Sequence, residues 1–144
     1  MRFERISKYP DAQLPVRATK KSAGYDFFVA EDVEVRPHEI KLVPTGIKAQ
    51  IDDGYWLELA VRSSTPKKLG LMLANGIGII DGDYYNNPDN EGHIMFQVYN
   101  INNLSPVTLH KGDRIGQGVF VPYAVVDDDN TTAERLGGFG STSK

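Results

Sequence analysis

The chain has 144 residues, with 16 Lys and Arg against 19 Asp and Glu for a formal net charge of −3, and it contains no cysteine. That length suits one domain able to bury a core without staples, and the charge balance supplies no general positive field for a nucleic-acid backbone. The lack of cysteine excludes disulfides, thiolate zinc sites and a cysteine nucleophile. The opening stretch Met1-Arg2-Phe3-Glu4-Arg5 lacks the apolar segment of a signal peptide, and no apolar run approaches the ~18 residues of a membrane helix. The expectation is a soluble, cytoplasmic protein with no membrane contact.

Along the chain the hydrophobic period is two. Short strands are predicted over 27–30, 33–36, 40–45 and 47–50, separated by the turns Arg36-Pro37-His38 and Pro44-Thr45-Gly46. After Asp52-Asp53-Gly54, the residues Tyr55, Leu57, Leu59 and Val61 alternate with Trp56, Glu58, Ala60 and Arg62, a half-buried strand. Thr65-Pro66-Lys67-Lys68-Leu69-Gly70 offers a capping hydroxyl, a proline at the first helical position and a terminal glycine, so one short helix is predicted there. Ile94, Phe96 and Val98 alternate with Met95, Gln97 and Tyr99, and further strands are predicted over 107–109 and 119–122. Many short strands with dense punctuation indicate an all-β sandwich, jelly roll or barrel. No repeat or internal linker divides the chain. From Asp127 onward it is acidic and then glycine-rich, and its composition predicts a mobile tail.

Several stretches carry polar groups in patterns that chemistry can use. In Asn75-Gly76-Ile77-Gly78-Ile79-Ile80-Asp81-Gly82-Asp83-Tyr84, Asp81 stands where an apolar strand meets a turn. It suits either an Asp-Gly hairpin turn or a general base within reach of a water, while Tyr84 suits the core rim or the face of a sugar. Arg62-Ser63-Ser64 ends a strand before the short helix. It can hold phosphate oxygens by charge-assisted bonds and helix N-terminal amides, or merely cap the helix. Gly112-Asp113-Arg114-Ile115-Gly116-Gln117 turns into a strand, and Gln117 is either a ligand-facing amide or a solvated side chain. Arg135-Leu136-Gly137-Gly138-Phe139-Gly140-Ser141-Thr142 joins an arginine, two hydroxyls and glycines whose amides can converge on an anion, without the Walker spacing. His38, His93 and His110 stand far apart, with no second ligand at metal spacing. Surface or strand-edge positions are expected for all three, with no protein-only metal site and no serine triad.

Taken in order, Ala23-Gly24-Tyr25-Asp26, Val61-Arg62-Ser63-Ser64, 78–84, 112–117 and Arg135 with 137–142 resemble the five ordered motifs of the trimeric dUTPase family, over about residues 12–142. The resemblance implies a jelly-roll-like, distorted β-barrel of residues 1–134 with a flexible phosphate-covering arm, 135–144. It also implies a homotrimer with sites at subunit interfaces, and Mg²⁺-assisted cleavage of dUTP to dUMP and pyrophosphate, which limits uracil in DNA and supplies dUMP. By position, Asp81 is then the base that activates water. Asn75, Gly78, Ile80, Tyr84, Met95 and Phe139 hold uracil and deoxyribose, with Tyr84 excluding a 2′-hydroxyl. Arg62, Ser63, Ser64, Gln117, Arg135, Gly138, Gly140, Ser141 and Thr142 hold phosphates, and Asp26 meets the metal through water. The stretch Tyr85-Asn86-Asn87-Pro88-Asp89-Asn90-Glu91 lengthens the usual third motif, and a surface for a regulatory protein is one use for it. A dCTP deaminase is the competing enzyme on this fold, and Gly137 to Thr142 argue against it.

Overall fold

The computed structural model describes residues 1–142; Ser143 and Lys144, the end of the predicted arm, lie outside the described residues. Eleven strands and one short helix follow in the order β1 (Arg2–Arg5), β2 (Val16–Arg17), β3 (Tyr25–Phe28), β4 (Val33–Val35), β5 (Ile40–Gln50), β6 (Tyr55–Ala60), α1 (Thr65–Leu69), β7 (Leu71–Leu73), β8 (Gly78–Ile80), β9 (Ile94–Asn100), β10 (Val107–Leu109) and β11 (Arg114–Pro122). They pair antiparallel into a sheet ordered β1-β5-β9-β7, a second ordered β2-β3-β11-β6-β8, and the small pair β10-β4. This is the all-β architecture that the period of two predicts, in the jelly-roll-like form that the family resemblance implies.

Alternation decides what each strand buries. Leu57 and Leu59 of β6 and Ile94, Phe96 and Val98 of β9 are almost wholly buried, while Trp56, Glu58, Met95 and Gln97 between them are half-exposed. The inner faces of the two large sheets meet across Phe27 and Phe96, whose rings pack edge to face with centroids 5.5 Å apart, an arrangement favoured by the aromatic quadrupole. Gly116 of β11 lies beneath this contact. A Cβ there would stand 2.7 Å from the Ala60 carbonyl and strike the Phe96 ring.

The structure changes the expected elements in several places. The strands expected over 40–45 and 47–50 are one strand with a register shift between Pro44 and Ile47, made possible by Gly46 at φ 73°. The strand expected to reach Val61 stops at Ala60, and the one expected over 119–122 begins at Arg114. The helix begins one residue earlier than its sequence suggests. Ser64 is its N-cap without a side-chain cap bond, Thr65 is helical, and Gly70 ends it in the left-handed region. β1 was not expected from its charged sequence. It forms because β5 offers partners and Phe3 has Phe27, Tyr25 and Phe120 to pack on.

Candidate active site

β8 is an edge strand of the five-stranded sheet, paired only to β6, with Ile80 opposite Leu57 and Gly78 opposite Leu59. Gly78 has no room for a side chain, since a Cβ would stand 2.9 Å from that of Leu59. Beyond Ile80 the chain does not make an Asp-Gly hairpin turn. Asp81 is extended, and Gly82–Tyr84 form one 3-10 turn closed by the Tyr84 amide on the Asp81 carbonyl at 3.1 Å. This turn leaves the Asp81 and Asp83 carboxylates exposed and drives the Tyr84 ring into the core.

The arginine of the C-terminal stretch binds both acids. Arg135 Nη2 donates to Asp81 Oδ2 at 2.8 Å, and its Nε donates to Asp83 Oδ1 at 2.7 Å. The guanidinium also lies 5.9 Å above the Tyr84 ring, and its side chain is only 12% exposed. The other Asp81 oxygen, Oδ1, takes no hydrogen bond from any described residue, which leaves it available to a water. Residues 123–134 are exposed, but the glycine-rich stretch within the tail expected from Asp127 onward is packed. Gly137 and Gly138 are buried, and the Gly138 amide donates to Asp89 Oδ2 at 3.3 Å. The Ser141 hydroxyl donates to the Gly137 carbonyl at 2.9 Å, and Gly140 and Thr142 are exposed.

Two concavities flank β8. A groove of about 670 Å³ runs from Asp81, Asp83 and Arg135 past Tyr55, Trp56 and Tyr123, a volume in the range of small-molecule sites. A smaller cavity of about 70 Å³ is lined by Asn75, Gly78, Ile80, Met95 and Phe139 among others. Ile79 lines both. Five of the sequence-predicted residues (Asn75, Gly78, Ile80, Met95 and Phe139) therefore line one cavity beside β8, and Asp81 lines the groove on its other side.

A second cluster forms elsewhere. Asp26 of β3 is buried opposite Gln117 of β11, which is itself opposite Ala60 of β6. The Asp26 carboxylate faces two guanidiniums, with Arg114 at 3.6 Å and Arg62 at 3.8 Å. The Gln117 amide lies against the Gly24 backbone so closely that any side chain on Gly24 would collide with it. Gln117 is thus a packed side chain and not a solvated one. Ser63 is exposed and Ser64 half-exposed, neither spent on capping α1.

The clusters stand apart within one chain. Asp81 is level with Trp56 at one end of β6, and Ala60 leads into Arg62 at the other. At ~3.3 Å per residue and ~4.8 Å between strands, Asp81 is roughly 17–20 Å from Gln117, Asp26 and Arg62 at the Cα atoms. Among the described residues no group of three His, Asp or Glu side chains could hold a metal ion.

A family model for dUTPase matches residues 10–143. The chain belongs to the dUTPase family. As a member it is an enzyme, a nucleotide hydrolase. It is 51% identical to the deoxyuridine 5′-triphosphate nucleotidohydrolase of Lactococcus lactis, over 97% of this chain and 95% of that one. The Haemophilus influenzae protein of the same name is 37% identical over 91% and 87%. A crystal structure of dUTPase from Streptococcus mutans superposes with TM-score 0.85 at 50% identity, covering 88% of this chain and 99% of that one. The Staphylococcus bacteriophage 80alpha dUTPase gives 0.76 at 25% identity, over 92% and 96%. No helix among the described residues is long and apolar enough to cross a membrane.

What the family motifs do not reveal lies in the lengthened loop, residues 85–91. Lys48 is nearly buried, and its ammonium donates to Asn86 Oδ1 at 2.6 Å and Glu91 Oε2 at 2.9 Å. These are the two non-glycine residues of the loop with left-handed backbone, at φ 57° and 65°. The Lys48 ammonium and then the Ser7 amide hold the Glu91 carboxyl below its usual range. Of the surface and strand-edge placements expected for His93, the surface one does not hold: it directly precedes β9 and is buried, and its Nε2 accepts the Gly46 amide at 2.9 Å. Burial lowers its pKa to about 4, so the ring is a neutral acceptor. His38 and His110 are exposed. A run of Asn-Asn-Pro-Asp-Asn is an Asx-turn composition, the one signal in the sequence for what this loop builds.

Proposed function

We propose that the chain hydrolyses dUTP to dUMP and pyrophosphate, with Asp81 as the base. Water held at Asp81 Oδ1 attacks the α-phosphorus, the bond from that phosphorus to the bridging oxygen of the β-phosphate breaks, pyrophosphate leaves, and Asp81 takes the water's proton. The observation that carries this reading is the end of β8 and the turn that follows it. It sets an exposed carboxylate held by Arg135 beside a cavity lined by Asn75, Met95 and Phe139. A 70 Å³ cavity has room for no more than a planar ring, so the rest of the nucleotide lies outside it along β8 and the turn after it. Tyr84 then meets the deoxyribose on the ring face that Arg135 now covers, and Arg135, Gly138, Gly140, Ser141 and Thr142 move with the arm (135–144) onto the β- and γ-phosphates.

The separation of the two clusters supports a homotrimer with shared sites. The α- and γ-phosphates of one nucleotide lie far closer together than roughly 17–20 Å, the span given by strand geometry. Arg62, Ser63, Ser64 and Gln117 therefore serve the phosphates of a substrate whose base sits on a neighbouring copy. The donor set fits a Mg²⁺ carried mainly by substrate phosphates: one buried carboxylate, Asp26, among cationic groups, suits contact through water and not a protein cage. When bound, the ion offsets phosphate charge and makes pyrophosphate a better leaving group.

A panel of dUTP, dCTP, dTTP and UTP, scored for pyrophosphate and ammonia with and without Mg²⁺, tests the reading. Pyrophosphate from dUTP alone is expected, with turnover falling on the order of 1000-fold in Asp81→Asn while dUTP binding persists. Ammonia from dCTP would favour the deaminase, and near-normal turnover in Asp81→Asn would remove Asp81 as base. A native mass measurement checks the trimer.

A further inference from the structure

The lengthened loop is wired to Tyr84. The Asn90 backbone and side chain, the Asn87 side chain and the Tyr84 hydroxyl form one closed hydrogen-bond network, and backbone donors fix its polarity. Asn90 Oδ1 accepts the Gly92 amide at 3.1 Å, so its nitrogen faces Tyr84 and donates to the phenol oxygen at 2.8 Å. The phenol proton then goes to the His93 carbonyl, 2.6 Å away. Asn87 Oδ1 accepts the Asp89 and Asn90 amides at 3.0 and 3.1 Å, which turns its nitrogen towards the Tyr84 carbonyl and Asn90 Oδ1, both at 2.8 Å.

Each polar atom of this buried group is satisfied, and no orphaned buried side-chain atom exists among the described residues. Burial raises the Tyr84 pKa, keeping the phenol protonated and able to donate. Gly92, at φ 88°, closes the loop so tightly that a Cβ would lie 2.8 Å from the Tyr84 carbonyl. The same Asn90 amide also meets the arm, since a Cβ on Gly138 would stand 2.8 Å from Asn90 Nδ2. One side chain therefore touches both the hydroxyl that anchors the Tyr84 ring and the glycine where the arm is seated.

We propose that Asn90 is a positioning residue for Tyr84, and that loop 85–91 through it sets how strictly the site rejects a ribose 2′-hydroxyl. A ring that tests a sugar for one oxygen atom must be held against small rotations. Hydrophobic packing alone is non-directional, whereas a donor and an acceptor at the phenol fix the ring's tilt. This rests on the dUTP reading of the site above.

Asn90→Asp is the nearly isosteric test: it keeps an acceptor for Gly92 and removes the donor to Tyr84. The readout is the ratio of kcat/KM for dUTP to that for UTP, in wild type, Asn90→Asp, Tyr84→Phe and the double variant. Asn90→Asp is expected to lower the ratio roughly 3- to 10-fold, as loss of one hydrogen bond does. In the Tyr84→Phe background, where there is no hydroxyl to hold, it should lower the ratio less than about twofold further. A merely structural Asn90 would depress both substrates alike and act additively with Tyr84→Phe, and that overturns the proposal. If Asn90→Asp does not fold, Tyr84→Phe alone carries the test, because an unchanged ratio there means that the anchored hydroxyl does not matter. A wild-type chain that cleaves UTP as readily as dUTP overturns the proposal together with the dUTP reading. A discriminating wild type with an unchanged Asn90→Asp ratio overturns the proposal alone.

Discussion

His93 should make the fold sensitive to mild acid. Its pKa is lowered from 6.5 to about 4, first by burial and then by Lys8, while Glu31 and Glu91 pull the other way. Between those values the unfolded chain holds a proton on this imidazole that the folded chain does not. Stability from the neutral ring is therefore complete above about pH 6.5, is lost as pH falls towards 4, and is level below that. At about 1.4 kcal/mol per pH unit across this window, the loss is about 3 kcal/mol. A proton on Nε2 would also cancel the acceptor that the Gly46 amide uses at the β5 bulge. His93→Gln places an amide oxygen near the same donor without a titratable group. Urea unfolding of both proteins at one protein concentration, from pH 7 to pH 4, gives the difference in stability at each pH. Carboxylates held low, such as Glu4, Asp11 and Glu91, lose their contribution in both proteins and cancel in that difference. The wild-type advantage should shrink by about 3 kcal/mol over the range. Parallel curves, with the difference constant to within about 0.5 kcal/mol, would refute the buried neutral imidazole.

Three further outcomes follow from single contacts. Gly116→Ala forces a methyl against the Ala60 carbonyl and the Phe96 ring, and should cost about 1–3 kcal/mol in urea unfolding. Lys48→Met removes the ammonium that holds both left-handed residues of the loop. With Glu91 partly exposed, the expected cost is about 1–3 kcal/mol, and limited proteolysis should report new cleavage within 85–91. Truncation before Gly137 removes the packed glycines but no strand. It should leave the thermal melt within a few degrees of wild type while lowering kcat for dUTP on the order of 100-fold, and an unchanged kcat would make the segment only a tail.

The strands were legible wherever one face is buried and the other is not, as in Leu57 and Leu59 or Ile94, Phe96 and Val98, because that contrast is what a period of two records. β1 was not, because its stability comes from what Phe3 meets in Phe27 and Phe120, and a strand of alternating charge carries no sign of those partners. The β5 bulge was hidden for a related reason: Pro-Thr-Gly is turn chemistry, and only the two flanking strands, β1 and β9, convert it into a kink within one strand. At the site, the ordered motifs pointed to Asp81, Arg135 and Asn75. Asn87, Asn90 and His93 escaped because asparagines in a loop and a lone histidine usually face water. Burial there is a property of the loop closing over Tyr84, which no single position reveals.

On the proposed shared site, the length of the arm has a geometric reason. β6 is a rigid antiparallel strand paired on both sides, so the Asp81 end and the Arg62 end cannot be drawn together by bending within one chain. On that reading, something outside the sheets completes each half. The 12 residues 123–134, exposed and without regular pairing, can span up to ~40 Å when extended. That is roughly twice the separation of the two clusters given by strand geometry. Such a linker lets Arg135 pair with Asp81 of its own chain, as it does here, or reach a site on an adjacent copy without cost to the strands. The Arg135 pair joins a mostly covered guanidinium to two acids that are more than half exposed, and water screens the carboxylate side of such a pair. A triphosphate, with more charge and more acceptors than two carboxylates, is the stronger partner for the same arginine. Its arrival would draw Arg135 from Asp81 and free that carboxylate for water at the moment the phosphates are held.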